Sequence, residues 1–450
     1  MVSAGFPVAS KSTGLTAIES GPVLRYMNGS STRGKASRSA LTEPWPIAFG
    51  RYLRTLRERR GLSLADASRM SRPSVAALDK GTLSRFERGQ QRLPASKLIP
   101  LSRIYGVSPG ALAERLELDM ELDRVGGSDV EGRTRAELQE IGTEALRHRH
   151  SKWIAYSAFR EALFRPSHNG DSFADEQEEL GARIHFAMAA RALGKNRVAL
   201  HEFSEIEGAN ELPARRNAVI LDRISNCYRC LGDFTRSERY ANAAIDEASH
   251  YGEKRILAFA HASKASIALD QGAYSEAVAE LQEASRANLQ AREVDCLLAP
   301  SPSFDVTVLL KLTEAYLELR FKDKARKTAT AAKTLSLRAV LPGGLGYGEL
   351  FLGQLDDTAR DVDRARMRWQ RASKIGASIH DNRLSFAAEY FCYRSTTQHG
   401  EIALARAAAK RLERLVPWVP EHFPLLTAYR RASRTHLPRP DRPQARRAQT

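Results

Sequence analysis

The feature that most constrains the fold of this chain is an internal repeat that begins near residue 194. Small residues recur at successive spacings of 38, 40, 48, 40 and 40 residues, at Ala199, Ser237, Ala277, Ala325, Ala365 and Ala405. Seven residues after four of them a second small residue follows, at Ala244, Ala284, Ala332 and Ala372. Residues at this spacing share one face of a helix and allow close packing against a neighbouring helix. Each unit is therefore predicted to be a helical hairpin that buries its apolar face only by stacking on the next unit.

These units resemble the tetratricopeptide repeat family, most closely between Leu231 and Ile245 and between Gln271 and Ala284. The resemblance covers roughly residues 175 to 415 and implies an α-solenoid with a concave groove that receives peptides or protein segments. Residues 133 to 165 are expected to cap the array. Polar residues on the presumed first helices are candidates to line the groove or, alternatively, ordinary surface residues; they are Arg223, Asn226, Lys264 and Asn382.

A different pattern precedes the repeats, in residues 47 to 119. Phe49, Leu53 and Leu56 fall on one face of a first helix. Ser63, followed three residues later by Asp66, predicts the start of a second helix. A third helix is expected after Asp79 as its N-cap, with Leu83 and Phe86 buried. No alternating strand pattern appears in the chain, so the sequence predicts an all-α protein.

This region is similar to the Xre/Cro-type helix-turn-helix family, on the residues from Leu53 to Leu64, from Thr82 to Gly89 and from Gly106 to Ser108. The resemblance implies a five-helix, lambda-repressor-like DNA-binding domain whose third helix enters the major groove. It implies Lys80, Thr82 and Arg85 as base readers and Arg88, Gln91 and Arg92 as phosphate contacts. Glu87 is expected to bond within the domain. The segment between the second and third helices, Ser71 to Leu78, is longer than the family's tight turn.

The positive charge is unevenly distributed along the chain. The net charge is +16, of which residues 49 to 119 carry +7, residues 1 to 48 carry +3 and residues 430 to 450 carry +6. Residues 120 to 429 hold 43 basic and 43 acidic residues and are neutral. A basic head on an uncharged body favours nucleic-acid binding by the head. A solvated basic surface, which would spread the charge evenly, is the alternative.

The domain organisation expected from composition has five segments. Residues 1–46 and 431–450 are predicted to be disordered tails, because they hold too few large apolar residues to form a core. Residues 47–119 form the head, residues 120–132 a linker with a Gly/Ser break, and residues 133–430 the repeat domain. Apolar runs are short and no signal peptide is evident, so we expect a cytoplasmic protein without a membrane partner.

Catalytic and metal-binding patterns are absent from the sequence. Four cysteines are too few for a disulfide framework, and Cys227 and Cys230 lie within a helical pattern that favours small core residues over a zinc site. The glycine-rich segment from Leu341 to Gly348 lacks the Lys-Ser/Thr of a phosphate loop and is predicted to be a loop between hairpins. Neither a cofactor nor a metal is expected, and an enzyme is the weakest hypothesis.

Two hypotheses for the function remain. In the first, the protein is a bacterial transcription regulator that binds double-stranded DNA as a homodimer, while the repeat body dimerises or senses a peptide or protein. This combination resembles the peptide-responsive regulators of bacterial cell-to-cell signalling. In the second, the protein is an adaptor whose repeats dock other proteins and whose head, altered by its longer turn, contacts protein. Charge reversal at Lys80, Arg85 and Arg88 discriminates between them.

Overall fold

The structure is a computed structural model that describes residues 44–72, 77–125, 132–147, 152–165, 173, 175–208, 212, 214–291, 301–419 and 423–436. All regular secondary structure in these residues is helical, which confirms the predicted all-α class. In chain order the helices are α1 (Trp45–Arg59), α2 (Leu64–Ser71), α3 (Lys80–Glu87), α4 (Leu98–Tyr105), α5 (Pro109–Val125), α6 (Arg135–Arg147), α7 (Lys152–Phe164), α8 (Glu176–Ala192), α9 (Asn196–Gly208), α10 (Ala214–Cys230), α11 (Phe234–His250), α12 (Lys254–Asp270), α13 (Tyr274–Gln290), α14 (Pro302–Glu318), α15 (Lys322–Arg338), α16 (Pro342–Thr358), α17 (Val362–Ser378), α18 (Asn382–Gln398), α19 (Ile402–Leu415) and α20 (Pro424–His436). Single 3-10 turns at Ala95–Lys97 and Val416–Trp418 lie before α4 and after α19.

Helices α1 to α5 form the head, as the sequence predicts. Their starts follow the predicted caps: Ser63 and Asp66 form a reciprocal capping box at α2, and the Asp79 carboxylate accepts the Thr82 backbone N–H at 2.8 Å. The predicted apolar residues Leu83 and Phe86 are buried in a core shared by all five helices. The side chains that would face DNA are thereby separated from those that hold the helix in place.

Gly50 sets the distance between α1 and α3. A Cβ built at this position would lie 2.6 Å from the Phe86 carbonyl oxygen and 2.7 Å from that of Glu87. Both neighbours are backbone atoms, so the clash cannot be relieved by rotating a side chain. Glycine therefore allows α1 to approach the C-terminal turn of α3 directly.

Helices α6 to α19 form a series of stacked antiparallel hairpins, and the predicted repeat spacing matches the starts of their second helices. Every small residue of the repeat is buried, including Ala244 and Ala284 at 0% exposure. A left-handed residue ends most of the first helices. It is Gly232 in one hairpin, with φ of +81°, and Arg320 in another, with φ of +61°. Glycine adopts this conformation without steric cost, whereas Arg320 is strained.

The first helices form the inner layer of the array. Successive first helices α10 and α12, α12 and α14, α14 and α16, and α16 and α18 pack on one another, whereas successive second helices make fewer contacts. A layer whose members lie closer together is the layer of smaller radius. The concave side is therefore lined by first helices, as the repeat resemblance implies.

The prediction of a loop from Leu341 to Gly348 is wrong, because Pro342 begins helix α16. Glycine disfavours a helix in isolation, but here it permits close packing. A Cβ at Gly346 would lie 2.5 Å from Leu384 Cδ2, and one at Gly353, further along α16, would lie 2.5 Å from the Trp369 indole nitrogen. Tertiary packing against α17 and α18 thus overrides the local preference of this segment.

One continuous hydrophobic core joins the head to the first hairpins. At its centre the guanidinium carbon of Arg115, in α5, lies 4.6 Å from the ring centroid of Tyr52, 4.7 Å from that of Phe164 and 5.0 Å from that of Phe186. These rings belong to α1, α7 and α8. The two terminal nitrogens of Arg115 have no hydrogen-bond partner. Cation–π attraction to the surrounding ring faces stabilises the guanidinium instead.

Asp119 completes this buried junction. Its carboxylate accepts a hydrogen bond from Arg115 Nε at 2.9 Å, from the Tyr156 hydroxyl at 3.1 Å and from Arg160 at 3.3 Å. Arg115 and Asp119 are both 0% exposed. Because a buried charge is tolerated only when it is paired, one carboxylate stabilises two arginines contributed by the head and by α7.

The head also caps a helix of the array. The Glu114 carboxylate accepts the backbone N–H groups of Arg197 at 2.7 Å and Val198 at 3.1 Å, at the start of α9. The first amides of a helix have no partner within it, and a carboxylate at this end also interacts favourably with the helix dipole. Helix α9 therefore depends on α5 for its N-terminal cap.

The predicted segment boundaries lie close to this junction. Helix α5 continues to Val125 with Leu122 buried, so the first residues assigned to the linker are helical. Helix α1 begins at Trp45, within the predicted N-terminal tail, and α20 ends at His436, within the predicted C-terminal tail. Residues 1–43, 126–131, 292–300 and 437–450 lie outside the described residues. The division into five segments stays a prediction.

Replacing Ala332 by leucine tests the packing role of the repeated small residues. Ala332 is 0% exposed in α15, and adding three carbon atoms there should lower the free energy of unfolding by about 1–3 kcal/mol. The matched control is Ala331→Leu, because Ala331 is exposed on the same helix; we expect a change within about 0.5 kcal/mol. Urea unfolding followed by circular dichroism measures both, and equal effects would contradict the packing role.

Asp119→Ala tests the junction between head and array. The substitution leaves Arg115 and Arg160 buried without their carboxylate, which should cost about 3–5 kcal/mol in unfolding free energy. Glu117→Ala, on the same helix, removes a carboxylate that pairs with Lys195 but is 60% exposed, and should cost no more than about 1 kcal/mol. The comparison uses chemical denaturation, and a loss in Asp119→Ala as small as that in the control would refute this role.

Candidate functional site

The first candidate site is the outer face of α3 and the segment that follows it. Lys80, Arg85 and Arg88 are exposed, and Thr82 is half-buried. Gln91 and Arg92, which follow the helix, are exposed as well. The six residues predicted to contact DNA therefore lie in one short stretch of surface, on the side of α3 away from Leu83 and Phe86.

Three of these residues form a hydrogen-bonded network. Arg85 donates to the Thr82 hydroxyl at 2.9 Å and to the Gln91 side-chain oxygen at 3.1 Å. The Thr82 hydroxyl in turn donates to the Asp79 carboxylate at 2.6 Å, and this bond is the main reason that the pKa of Asp79 is below its ordinary value. Arg88 is held differently, by donation to the Ser84 carbonyl at 3.2 Å. The network presents the Arg85 guanidinium in one orientation.

The inner side of α3 is fixed by a buried ion pair. Arg57 in α1 donates to both carboxylate oxygens of Glu87, at 2.8 and 2.9 Å. The Tyr105 hydroxyl of α4 donates to the same carboxylate at 3.1 Å. The expectation that Glu87 bonds within the domain is confirmed. A bidentate pair of this kind sets orientation as well as distance, so α3 is held against two other helices.

The long turn between α2 and α3 is closed at its ends. The Ser71 hydroxyl accepts the Leu78 backbone N–H at 2.8 Å, and the Ser68 hydroxyl donates to the Leu78 carbonyl at 2.9 Å. Leu78 is buried. These hydrogen bonds hold the start of α3 against the end of α2. Residues 73–76 lie outside the described residues.

The second candidate site is the concave face formed by the first helix of each hairpin. Side chains at the same position of successive first helices lie next to one another on this face. Arg223 is the tenth residue of α10, and Ser263 and Lys311 are the tenth residues of α12 and α14. Asn226, three residues after Arg223, donates to Ser263 at 2.8 Å. Residues at equal positions of stacked hairpins form a stripe across the array. Arg223 and Asn226 therefore belong to this stripe.

The other two predicted groove residues lie elsewhere. Lys264 is the eleventh residue of α12, and its ammonium pairs with Glu280 of α13 at 3.0 Å. It thus faces the second helix of its own hairpin. Asn382 is the first residue of α18, four hairpins further along the array from α10. The structure brings Arg223 and Asn226 together and leaves Lys264 and Asn382 apart from them.

Polar contacts connect the first helices along the stripe. The Asp222 carboxylate accepts from Arg223 at 2.9 Å and from the Ser263 hydroxyl. Arg229 pairs with Asp270 at 2.6 Å. Lys311 donates to the Ala262 carbonyl at 3.3 Å and also to the Ser266 hydroxyl. Helices α10, α12 and α14 are thereby linked by ion pairs and hydrogen bonds on their concave side.

Two cations near this stripe, Arg191 and Lys311, were not identified from the sequence. The pKa of Arg191 is lowered mainly by burial and to a smaller extent by the positive charge of Arg223. The pKa of Lys311 is lowered to about 8, mainly by burial and to a smaller extent by the positive charge of Arg229. The sequence does contain an indication for Lys311, because it is the single charged residue in the otherwise largely apolar segment from Val306 to Leu312. Perturbed cations in a groove are typical of binding sites, although structural networks also produce them.

The cysteines lie apart from these sites. Cys227 and Cys392 are buried, as expected of small core residues, but Cys230 is exposed, which corrects the prediction for the pair. In the part of the chain that the structure describes, no cluster of His, Cys, Asp or Glu has the arrangement of a metal site. None of the described helices is long and apolar enough to cross a bilayer. His148 and His150, which the sequence predicts to be surface residues at a helix end, lie outside the described residues.

Comparison with known proteins identifies the head. Residues 48–116 match the family model of a helix-turn-helix domain. These residues span α1 to α4 and the first half of α5, and they are followed by the helical-repeat domain. No curated protein sequence matches the chain.

Several solved structures have a similar arrangement of helices. Bacillus thuringiensis PlcR in complex with the peptide PapR7 and DNA is 11% identical, with a TM-score of 0.37, over 64% of this chain and 94% of that chain. The apo form of RapI is 12% identical, with a TM-score of 0.48, over 63% of this chain and 97% of that chain. A Rap protein complexed with Competence and Sporulation Factor is 12% identical, with a TM-score of 0.45, over 85% and 96%. At these values the similarity concerns helical architecture alone.

The lowered pKa of Lys311 predicts a specific dependence of stability on pH. The ammonium is charged in both states below pH 8, so the full penalty of burial applies there; it disappears as pH rises from about 8 to 10.5, where only the unfolded chain keeps the proton. The penalty is at most about 3 kcal/mol, reduced by solvent screening in the groove.

Lys311→Met should therefore stabilise the protein at pH 7 and lose this advantage towards pH 10. Urea unfolding of both proteins at several pH values measures the difference. Lys374→Met, at an exposed position of α17, controls for the loss of a surface charge. A difference between Lys311→Met and the wild type that does not change with pH would contradict the assignment.

Proposed function

We propose that this protein is a DNA-binding transcription regulator that contacts its operator through α3 and senses a peptide or protein segment in the groove of its repeat array. The observation that carries the proposal is that the two sides of α3 differ. Its inner side is locked by the pair of Arg57 with Glu87, while its outer side presents exposed basic and polar groups. Rigid presentation of such groups is what readout of base edges requires.

Each predicted contact has a chemical role in this proposal. Lys80 and Arg85 donate to purine acceptors in the major groove, and the Thr82 hydroxyl, which pairs with Asp79 and Arg85 in the free protein, contacts an adjacent base. Arg88, Gln91 and Arg92 bind phosphates and set the register of the head on the duplex. Contacts of this second kind make affinity depend steeply on salt.

A homodimer is part of the proposal. One α3 is eight residues long and reads only a short half-site. Two heads related by a twofold axis read half-sites about one helical turn apart, which multiplies specificity. The array is suited to transmit a signal to the head, because α5 supplies the N-terminal cap of α9 and shares a core with α7 and α8.

Arg85→Glu should abolish preferential DNA binding. Fluorescence anisotropy with the full chain compares a duplex from the upstream region of its own gene with a random duplex across a salt series. The full chain is required because the core of the head continues into α7 and α8. We expect the wild type to prefer the upstream duplex at least a hundredfold, with affinity that falls steeply as salt rises.

Arg338→Glu provides the matched control, since it makes the same charge change at an exposed residue of α15. It should bind DNA as the wild type does. Equal, weak binding of both duplexes by the wild type would overturn the proposal and favour the adaptor. Loss of binding in both variants to the same extent would show that the positive charge acts non-specifically.

A further inference from the structure

We propose that the concave stripe across α8, α10, α12 and α14 is a binding site for an acidic peptide, whose carboxylates are received by Arg191, Arg223, Arg229 and Lys311. These four residues are called the cation cluster below. The inference rests on the proposed function, because it names the chemistry of the segment that the array senses.

The cation cluster occupies two aligned positions of the repeat. Arg223 and Lys311 are the tenth residues of α10 and α14, whereas Arg191 and Arg229 are the sixteenth residues of α8 and α10. Stacking brings equal positions of neighbouring first helices side by side. The cations are also within electrostatic range, since Arg223 lowers the pKa of Arg191 and Arg229 lowers that of Lys311.

Among the described residues, only two of the four cations form an ion pair with a carboxylate. Asp222 pairs with Arg223, and Asp270 pairs with Arg229. Lys311 hydrogen-bonds to neutral oxygens, those of Ser266 and Ala262, while Glu314, Asp270 and Asp222 act on it only through the electrostatic field. The buried Nε of Arg191 has no hydrogen-bond partner. Cations in a sheltered groove without an acidic partner are destabilising by themselves.

The unused donors match a carboxylate. The Nε atoms of Arg191, Arg223 and Arg229 are buried and have no hydrogen-bond partner. Guanidinium groups bind carboxylates through paired N–H donors, and such charge-assisted hydrogen bonds are roughly twice as strong as neutral ones. Several carboxylates of an acidic ligand would accept hydrogen bonds from these donors and would form the ion pairs that Arg191 and Lys311 do not make within the described residues.

The dimensions favour a peptide as the bearer of these carboxylates. The stripe crosses four successive first helices. Three steps of roughly 10 Å make a length of roughly 30 Å, which an extended peptide of about nine residues spans at ~3.3 Å per residue. Glu314, the thirteenth residue of α14, is exposed, so the stripe opens to solvent at this end.

The position of the site connects it to the head. Arg191 lies in the last turn of α8, whose hairpin partner α9 is capped by Glu114 of α5. In the same hairpin, Glu202 is buried and pairs with Arg183 at 3.5 Å and with Arg59 of α1 at 3.7 Å. A ligand that draws Arg191 towards α10 therefore acts on the hairpin that holds the head.

The test uses two pools of synthetic nonapeptides that differ only at one residue near each end and one in the centre, which are Asp or Glu in the first pool and Asn or Gln in the second. Thermal unfolding of the full chain is measured with each pool. We expect the acidic pool to raise Tm by several degrees and the neutral pool to raise it much less. Half-maximal stabilisation should require at least tenfold more peptide in Arg191→Gln and in Lys311→Met.

Lys374→Gln is the matched control, because it removes an exposed cation from the second helix α17, and it should respond as the wild type does. Equal responses to the two pools, no response to either at millimolar peptide, or unchanged responses in both cluster variants would overturn the proposal. Inorganic phosphate that matches the effect of the acidic pool would show a simple anion site and would also overturn it.

The outcome is separable from that of the proposed function. DNA binding is measured on the same proteins without peptide, and the cluster variants should retain it because Arg191 and Lys311 lie outside the head. Peptide binding without preferential DNA binding would refute the regulator and keep the site. DNA binding without a response to acidic peptides would refute the site and keep the regulator.

Discussion

The buried pair of Arg115 and Asp119 is the interaction on which the arrangement of head and array depends. A guanidinium enclosed by aromatic rings and held by a carboxylate that is itself shared with Arg160 fixes three helices at once. Such a pair adds little net stability compared with apolar packing, but it tolerates few alternative geometries. We infer that it defines how α5 sits on α7 and α8, and therefore in which direction α3 faces relative to the array. The head is consequently a continuation of the repeat stack rather than a module on a flexible tether.

Sequence predicted the fold well where a local pattern has a direct physical cause. The caps at Ser63 and Asp79 mark helix starts because only a few side chains satisfy free amides there. The small residues of the repeat mark helix contacts because no larger side chain fits. Prediction failed at Leu341 to Gly348, where the glycines are explained by Leu384 and Trp369, residues that become neighbours only after the hairpins stack.

The residues of the groove were harder to predict than those on the outer face of α3, for a geometric reason. The outward side of α3 follows from Leu83 and Phe86 alone, because the helix has one buried side. A first helix of the array contacts its own partner, the preceding hairpin and the following one, so a polar residue has several possible environments. Lys264 and Lys311 illustrate this: they differ by one position in the repeat register. One residue turns a helix by about 100°, which directs one lysine to Glu280 and the other into the groove.

The same geometry explains why a stable protein retains groove cations that form no ion pair. The hydrophobic clusters of the array join side chains of first helices to side chains of second helices. Arg191 and Lys311 therefore impose a cost that the layered core can offset, and neutral side chains at both positions would pack without it. Natural sequences keep such conflicts mainly where a site is used. The part of this conflict that involves Arg191 lies in the hairpin that Glu114 caps, beside the Arg115 junction. Relief of the Arg191 charge by a ligand would therefore alter the part of the array that determines the orientation of α3.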